Sequence, residues 1–306
     1  MESNCSNEVR VSVCVVTYNQ VGFVQQCLQS ILSQVTEYDF EVIIGDDFST
    51  DGTREIIQDM ARQYPGKIIP LFHEKNVGAT KNYLAVHDLA RGKYIAHCDG
   101  DDYWLPGKLQ YQYSLLEADE DLAFVAETEH KISSRMLLTV DNLLEMANPV
   151  MHSSKMYRRE SILTRSSDVD LLDFYFNVEH ARSGIVLLEK ARFTYYRRYV
   201  GVSRRLGIRF YALNCEAAYR AYELGASKRS AYAAAKSARL VLIKQAIHEA
   251  NWEQLDNLLR PSELELMLAT TSKRYVLETL AGYRIVRPLI HFALRAKRAM
   301  ASLGGV

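Results

Sequence analysis

The sequence predicts an α/β fold, with a mostly parallel sheet flanked by helices and followed by a C-terminal helical region. Over roughly the first hundred residues, short apolar, β-branched segments alternate with amphipathic helical patterns, which is typical of right-handed βαβ units. From about residue 206 the chain is rich in Ala, Leu, Lys and Arg and keeps a helical pattern. We therefore expect two domains, residues 1–205 and residues 206–306.

Four segments have the nearly continuous apolar character of strands that are covered on both faces. They are Val11–Thr17, Phe40–Gly45, Lys67–Phe72 and Lys93–Cys98. Pro70 has no N–H to donate to a neighbouring strand, so the third segment belongs at a sheet edge or a strand end.

Helical patterns separate these strands. The first has apolar residues at i, i+3, i+4, i+7, i+8 and i+11, namely Val24, Cys27, Leu28, Ile31, Leu32 and Val35. Two more cover residues 56–64 and 79–90. Farther along we expect helices at 108–118 and 171–181, a strand at 122–126, short elements at 151–157 and 184–188, and helices from about residue 210.

Composition excludes some classes of protein. The formal net charge is zero, from 37 Lys and Arg against 37 Asp and Glu, which argues against nucleic-acid binding. The five cysteines include no C-x-x-C pair and predict free, buried thiols in a reducing compartment. The start of the chain, MESNCSNEV, lacks a signal-peptide core, and no stretch has the length of an uncharged membrane span. We therefore expect a cytoplasmic protein.

Polar clusters follow three of the predicted strands. Thr17-Tyr18-Asn19 follows the first, Asp46-Asp47 the second and Asp99-Gly100-Asp101-Asp102 the fourth. In open parallel sheets, ligands bind beyond the carboxyl ends of the strands. The three clusters are therefore expected to form one site.

Asp99 and Asp101 form a D-x-D pair. Two carboxylates this close repel each other unless a cation or a proton lies between them. Mg²⁺ and Mn²⁺ take oxygen ligands and keep positions open for phosphate oxygens, so a metal that holds a nucleotide diphosphate is one interpretation. An acidic turn or helix cap is the other. The first strand–helix turn, TYNQVG, lacks the G-x-G-x-x-G of dinucleotide-binding proteins.

The segment DDFSTDGT joins the second strand to its helix. Helix capping by Ser49 or Asp51 accounts for part of it. Capping does not explain two carboxylates directly at the strand end, and one of them could accept a hydrogen bond from a nucleobase N–H.

Three ordered motifs carry a resemblance to a known family. VSVCVVTYNQ, FEVIIGDDFSTDGT and NVGATKNYLAVHDLARGKYIAHCDGDDYWLPGKL resemble the family 2 glycosyltransferases, which have the GT-A (Rossmann-like) fold. The motifs cover about a third of the chain, and weaker similarity continues through NPVMHSSKMYRR and DFYFNVEHARSG to TYYRRYVGVS. The resemblance does not cover the helical tail.

The resemblance implies residue roles on the donor side. It places the nucleotide against the first turn and the two acidic clusters, and it implies Mg²⁺ or Mn²⁺ as the cofactor. The donor-binding residues would be Val16, Thr17, Tyr18, Asn19, Asp47, Asn82 and Asp99. Asp47 would hold the base N–H, and the metal ligands would be Asp99 and Asp101.

The family inverts stereochemistry and needs a carboxylate as general base. Its late motif, an acid followed by an aromatic residue ahead of a Gly, matches Asp173-Phe174 before Gly184 best, with Asp170 and Glu179 as alternatives. A solvated helix residue or a cap is the other interpretation of Asp173.

Three further residues are candidates for the acceptor side. They are Asp102, Trp104 and His152. Tyr103 and Trp104 could stack on sugar rings or serve as core packing. A lone His such as His152 is also a common structural residue.

The chain departs from the family pattern in places. Phe48 stands where Gly is frequent, Lys81 precedes Asn82 where Arg is common, and Tyr199 replaces a frequent His. A cluster of arginines could supply positive charge to a diphosphate or be a solvated face: Arg197, Arg198, Arg204 and Arg205.

The segment 282–300 forms a basic amphipathic pattern. Such a helix suits an anionic membrane surface, and it also suits docking on the domain with a solvated basic face. Membrane contact would place the protein on the inner face of the cytoplasmic membrane.

We therefore expect an inverting glycosyltransferase that moves a sugar from a nucleotide-diphosphate donor, a UDP-sugar above all, to a glycan or lipid-linked acceptor in bacterial surface-polysaccharide synthesis. The alternative is an inactive GT-A-like module that binds nucleotide or glycan. A sugar nucleotidyltransferase is disfavoured, because TYNQVG is not a Gly-rich basic loop.

Overall fold

The structure is a computed structural model that describes residues 8–146, 149–161, 173–197, 208–223 and 225–248. These residues form two compact units. The first contains residues 8–140, 149–161 and 173–197, and the second contains 141–146, 208–223 and 225–248. The expected boundary near residue 205 lies outside the described residues and stays a prediction.

The first unit contains an eight-stranded sheet in the order β3-β2-β1-β4-β8-β6-β9-β7 and a two-stranded sheet formed by β5 and β10. The strands are β1 (Val11–Thr17), β2 (Phe40–Asp46), β3 (Ile68–Phe72), β4 (Tyr94–Asp99), β5 (Tyr103–Trp104), β6 (Leu122–Thr128), β7 (Met136–Leu138), β8 (Met156–Arg158), β9 (Ile185–Lys190) and β10 (Thr194–Tyr195). Strands β3, β2, β1 and β4 are parallel, as predicted, and β3 with Pro70 lies at the edge. The sheet turns mixed at β8, which is antiparallel to β4 and β6.

The helices are α1 (Val24–Leu32), α2 (Thr53–Gln63), α3 (Ala79–Asp88), α4 (Lys108–Ala118), α5 (Val140–Glu145), α6 (Asp173–Ala181), α7 (Ile208–Glu223) and α8 (Lys228–His248). One prediction is wrong. Helix α1 ends at Leu32, so Val35 lies beyond it and is 83% exposed. The predicted element at 151–157 is a 3-10 turn, His152–Ser154, followed by β8.

The core of the first unit lies between the sheet and its helices. Val13, Val15 and Ile44 are fully buried, and α1 packs its apolar face, including Leu28 and Ile31, into the same cluster. Four of the predicted thiols are confirmed as buried and outside any disulfide: Cys14, Cys27, Cys98 and Cys215.

The second unit is helical, as expected. Small buried side chains such as Ala218 and Ala235 let α7 and α8 pack closely. The N-terminus of α8 is tied to α5, because the Ser227 amide donates to Asp141 Oδ1 at 2.8 Å. Among the described residues, no helix combines the length and the apolar character needed to span a bilayer.

Candidate active site

Parallel pairing brings the three polar clusters to one edge of the sheet. In the β1–β2 register Thr17 lies opposite Asp46, and in the β1–β4 register Val16 lies opposite Asp99. The three strands therefore end side by side. We call the edge formed by residues 16–20, 46–50 and 99–102 the acidic rim.

Gly100 allows the acidic loop to approach the end of β1 closely. Its amide donates to the Val16 carbonyl at 2.8 Å. A Cβ on Gly100 would lie only 2.8 Å from Thr17 Cβ and 2.5 Å from Gln20 Oε1. Any larger residue would therefore push the acidic loop away from the turn.

The turn after β1 is joined to the loop after β2. The Asn19 amide donates to Ser49 Oγ at 2.8 Å, and Asn19 Oδ1 accepts from the Thr50 amide at 2.9 Å. Asn19 has a φ of 51°, in the left-handed region that asparagine tolerates. This geometry leaves Tyr18 on the rim with 49% of its surface exposed.

Asp47 is held inside the protein. Its Oδ1 accepts from the Val77 amide at 2.6 Å and its Oδ2 from the Gly78 amide at 3.0 Å, and only 3% of the residue is exposed. The carboxylate anchors the loop before α3. Each oxygen keeps a further acceptor position, so the predicted bond to a nucleobase stays a prediction.

Asn82 lies beneath the rim. Its amide donates to the Gly45 carbonyl at 2.9 Å, its Oδ1 lies 3.1 Å from His73 Nε2, and the residue is 2% exposed. The structure gives Asn82 a role in positioning β2, and the predicted contact with the donor stays a prediction.

Ser153 links the carboxylates of the acidic loop. Its hydroxyl lies 3.2 Å from Asp99 Oδ2 and 2.5 Å from Asp102 Oδ2, and it accepts from the Asp99 amide at 3.0 Å. Sequence reasoning missed this residue, because its partners are about fifty positions away in the chain. Its position inside the segment HSS is the one signal that the sequence offers.

The carboxylates of the loop hold protons unusually well. Burial raises the pKa of Asp99 and of Asp101 to about 6, and the negative charge of Asp99 adds to the shift of Asp101. Burial and the charge of Asp99 raise the pKa of Asp102 to about 7. Burial and mutual repulsion disfavour the ionised form of these carboxylates. A bound divalent cation would offset the repulsion, so the group suits such an ion.

Arg197 supplies positive charge to this loop. Its amide donates to Asp102 Oδ1 at 2.8 Å, and its guanidinium donates to the Asp101 carbonyl and to Gln26. It is the described member of the predicted arginine cluster. Arg198, Tyr199, Arg204 and Arg205 lie outside the described residues.

Asp173 lies at the start of α6 and within electrostatic reach of the acidic rim. Burial raises its pKa, the positive charge of Lys155 opposes that shift, and the negative charge of Asp99 adds to it. Of the two alternatives, Asp170 lies outside the described residues, and Glu179 is 1% exposed and accepts from Tyr175 Oη at 2.9 Å. Asp173 is therefore the better placed of the two described candidates.

Lys155 is a buried cation beside the site. The residue is fully buried, and its Nζ donates to Asn177 Oδ1 at 3.0 Å. Burial lowers its pKa to about 7, while the negative charges of Asp173 and Asp99 act in the opposite direction. Sequence reasoning missed it, although a lysine directly before Met156 and Tyr157 in SSKMY is a recognisable signal.

Tyr196 is a third residue that the motifs did not single out. Burial raises its pKa to about 12, and the negative charges of Asp99, Asp102, Asp173 and Asp101 add to the shift. The Tyr196 hydroxyl thus lies near enough to all four aspartates to feel their charge, and 43% of the residue is exposed.

Two predicted acceptor-side residues are not accessible. Trp104 is 2% exposed, its Nε1 donates to the Ser153 carbonyl at 2.8 Å, and the Lys108 ammonium lies 4.1 Å from its ring centre. This geometry favours core packing over sugar stacking. Asp102 is 1% exposed, and it accepts hydrogen bonds from the Ser153 hydroxyl and the Arg197 amide. These bonds give it a role in stabilising the acidic loop. His152 lies against His97, with ring centres 4.3 Å apart.

Phe48 has a φ of 64°. This backbone is in the left-handed region, which favours glycine over a residue with a Cβ. The phenylalanine is 41% exposed on the rim.

The parallel order β3-β2-β1-β4, with several carboxylates at the carboxyl edge of the sheet, is that of a GT-A-fold protein. Residues 12–164, half of the 306-residue chain, match the family described as "Glycosyl transferase family 2". The chain belongs to this family.

Relatives in sequence agree with the family. An uncharacterized protein of Mycobacterium bovis is 34% identical over 204 residues, which cover 62% of this chain and 59% of the relative. A Bacillus subtilis protein named "Putative teichuronic acid biosynthesis glycosyltransferase TuaG" is 35% identical over 106 residues, which cover 35% of this chain and 41% of that protein. The chain thus spans 59% of the length of the Mycobacterium relative.

Solved structures share the fold. Residues 1–349 of S. aureus TarS, in complex with UDP-GlcNAc, match with a TM-score of 0.62 and 18% identity, covering 94% of this chain and 88% of that one. The mannosyltransferase PcManGT of Pyrobaculum calidifontis, in complex with GDP-Man and Mn²⁺, matches with a TM-score of 0.53 and 19% identity, covering 92% and 86%.

Proposed function

We propose that this protein is an inverting glycosyltransferase that transfers a sugar from a nucleotide-diphosphate donor to a hydroxyl of a glycan or lipid-linked acceptor. The observation that carries the proposal is the meeting of three polar clusters at the acidic rim, with Asp173 close enough to Asp99 to feel its charge. Family membership and the UDP-GlcNAc and GDP-Man complexes of the structural neighbours support it. A UDP-sugar is the donor we expect.

The donor side uses the residues that the rim leaves accessible. Tyr18 offers an exposed ring beside the turn, where a nucleobase can pack. Thr17 shapes the turn from inside, because its hydroxyl donates to Gln20 Oε1 at 2.7 Å. Arg197 lies where a diphosphate would need positive charge.

The metal side uses Asp99 and Asp101, whose oxygens suit Mg²⁺ or Mn²⁺. A bound divalent ion supplies Lewis-acid stabilisation of the diphosphate leaving group. The Mn²⁺ in the PcManGT complex supports this assignment. In its pair with His97, Asp99 has 28% of its side chain exposed to solvent, whereas the side chain of His97 is fully buried.

Asp173 is the proposed general base. Its carboxylate takes the proton of the acceptor hydroxyl while that oxygen attacks the anomeric carbon from the face opposite the leaving diphosphate. The Lys155 ammonium favours the ionised carboxylate that this step needs. General base catalysis of this kind contributes about 10²–10⁴-fold.

The biological setting is a finer proposal. The TuaG relative is named for teichuronic acid synthesis, which supports a role in bacterial surface-polysaccharide assembly. We place that role at the inner face of the cytoplasmic membrane. The basic segment 282–300, the predicted membrane contact, lies outside the described residues.

The alternative, an inactive module that binds nucleotide or glycan, predicts donor binding without transfer. We would measure thermal stabilisation and donor hydrolysis with a panel of nucleotide sugars and Mn²⁺. Asp101→Asn should abolish metal-dependent stabilisation by the donor, whereas Asp173→Asn should keep it and lose about 100-fold or more of turnover.

Glu120→Gln, an exposed acid outside the acidic rim, is the matched control and should behave as the wild type. Stabilisation by a donor without any turnover would favour the inactive module. Full donor binding by Asp101→Asn would contradict the metal assignment.

A further inference from the structure

Three side chains that could ligate a metal form a group that shares Asp99 with the acidic rim. One ligand atom each from His97, Asp99 and His152 lies within 4.8 Å of the other two. His97 Nε2 is 3.2 Å from Asp99 Oδ1, and the two imidazole ring centres are 4.3 Å apart. We call this group the His97–Asp99–His152 trio.

Burial favours the neutral form of both imidazoles. Burial lowers the pKa of His97 and of His152 well below the usual value, and the positive charge of Lys155 adds to both shifts. A neutral imidazole nitrogen is the form that binds a metal. Among the described residues, the Nδ1 atoms of His97 and His152 are buried and have no hydrogen-bond partner.

A structural explanation of the trio is incomplete. The contact with Asp99 accounts for one nitrogen of His97, whereas a histidine that served only the core would be expected to satisfy its buried Nδ1, and His152 does not. Ser153, the residue after His152, holds the other oxygen of Asp99, because its hydroxyl lies 3.2 Å from Asp99 Oδ2. Asp99 is thus oriented with one oxygen toward the imidazoles.

The donor set selects the kind of ion. Two imidazole nitrogens and one carboxylate oxygen are the ligands of Zn²⁺ and related transition ions, whereas Mg²⁺ prefers oxygen alone. The 3.2 Å between His97 Nε2 and Asp99 Oδ1 is close to the ~3.3 Å that separates two ligands of a tetrahedral zinc ion at about 2.0 Å each. A ligand nitrogen of His152 lies within 4.8 Å of the ligand atoms of the other two residues.

We propose that the His97–Asp99–His152 trio binds a nitrogen-preferring divalent ion of the Zn²⁺ class, and that this ion and the donor metal exclude each other because both use Asp99. Zinc binding itself does not depend on the proposed reaction; only the exclusion rests on the proposed function. Zn²⁺ would then inhibit the binding of the nucleotide donor.

The first test is a titration of the full chain with Zn²⁺ against a competing chromophoric chelator. The wild type should bind one ion that His152→Ala weakens by tenfold or more. Asp101→Asn should keep that ion, because Asp101 is not in the trio. His130→Ala removes an exposed histidine and should leave zinc affinity unchanged. Equal affinity in His152→Ala, or an equal loss in Asp101→Asn, would overturn the proposal.

A second measurement needs no variant. X-ray absorption of the wild type loaded with one equivalent of Zn²⁺ should show the scattering of two imidazoles. A spectrum without imidazole scattering would overturn the trio as the site, even if a variant failed to fold.

The exclusion has its own readout. One equivalent of Zn²⁺ should weaken Mn²⁺-dependent UDP binding by tenfold or more in the wild type and should have little effect in His152→Ala. UDP binding that zinc leaves unchanged would overturn the shared use of Asp99. A protein that binds zinc as proposed and never binds UDP would instead contradict the proposed function.

Discussion

The backbone of Phe48 carries a measurable cost at the scale of a single residue. A φ of 64° disfavours any residue with a Cβ by about 1 kcal/mol. We predict that Phe48→Gly is more stable than Phe48→Ala by about 1 kcal/mol, because both remove the ring and only glycine relieves the backbone. Chemical denaturation of the two variants checks this, and equal stability would contradict the left-handed conformation.

Lys155 sets the charge state of the proposed base. Its ammonium opposes the burial that raises the pKa of Asp173. In Lys155→Met that pKa should rise further, so a higher pH is needed to ionise the base. The acidic limb of the pH profile of turnover should move to higher pH.

Lys155→Arg keeps the charge and is the matched control for this prediction. A profile that stays in place in Lys155→Met, in a variant that still folds, would show that Lys155 does not act on Asp173.

Motif residues could be predicted one by one, and their neighbours could not. Asp99, Asp101 and Asp173 lie in patterns that a single stretch of sequence displays. Ser153 and Lys155 act on residues about fifty or twenty positions away, so their roles exist only once the chain has folded. Trp104 was ambiguous, because an aromatic residue beside an acidic loop suits both a core and a sugar site.

At the scale of elements, the packing of α3 on β2 depends on one glycine. A Cβ on Gly45 would overlap the Asn82 side chain and lie 2.6 Å from Val86 Cγ1, both on α3. Gly45→Ala should destabilise the protein by about 1–3 kcal/mol, because the helix must move away from the strand.

Gly22 provides the matched control, since a Cβ there would meet nothing within 4 Å. Gly22→Ala should be close to neutral in the same denaturation experiment. Equal and small effects of the two substitutions would mean that α3 is not packed as described.

The sequence predicts elements best where one physical pattern dominates. The near-continuous apolar character of β1 and β2 identifies buried parallel strands, and the amphipathic stripe identifies α1. Val35 extends that stripe, yet the helix ends three residues earlier, because periodicity does not record where backbone hydrogen bonding stops. The three-residue strand β8 is too short to show a period, and its antiparallel pairing comes from tertiary contacts.

At the scale of the whole molecule, the acidic rim links stability to pH. The pKa values of Asp99, Asp101 and Asp102, about 6, 6 and 7, exceed that of an unfolded aspartate. Between about pH 4 and pH 7 the native state therefore binds more protons than the unfolded state, so this contribution to stability falls as the pH rises.

Mn²⁺ should relieve that loss once the carboxylates are ionised. The rise in melting temperature on adding Mn²⁺ should be larger at pH 8 than at pH 5, and Asp101→Asn should reduce the difference. A metal effect independent of pH would argue against binding by these carboxylates.

The central claim is that three segments distant in sequence form one donor site at the acidic rim. A crystal structure of the protein with UDP and Mn²⁺ tests it most directly. We expect the ion on Asp99 and Asp101, the diphosphate between the ion and Arg197, and the nucleobase beside Tyr18. A nucleotide bound at another surface, or an ion that contacts neither aspartate, would contradict it.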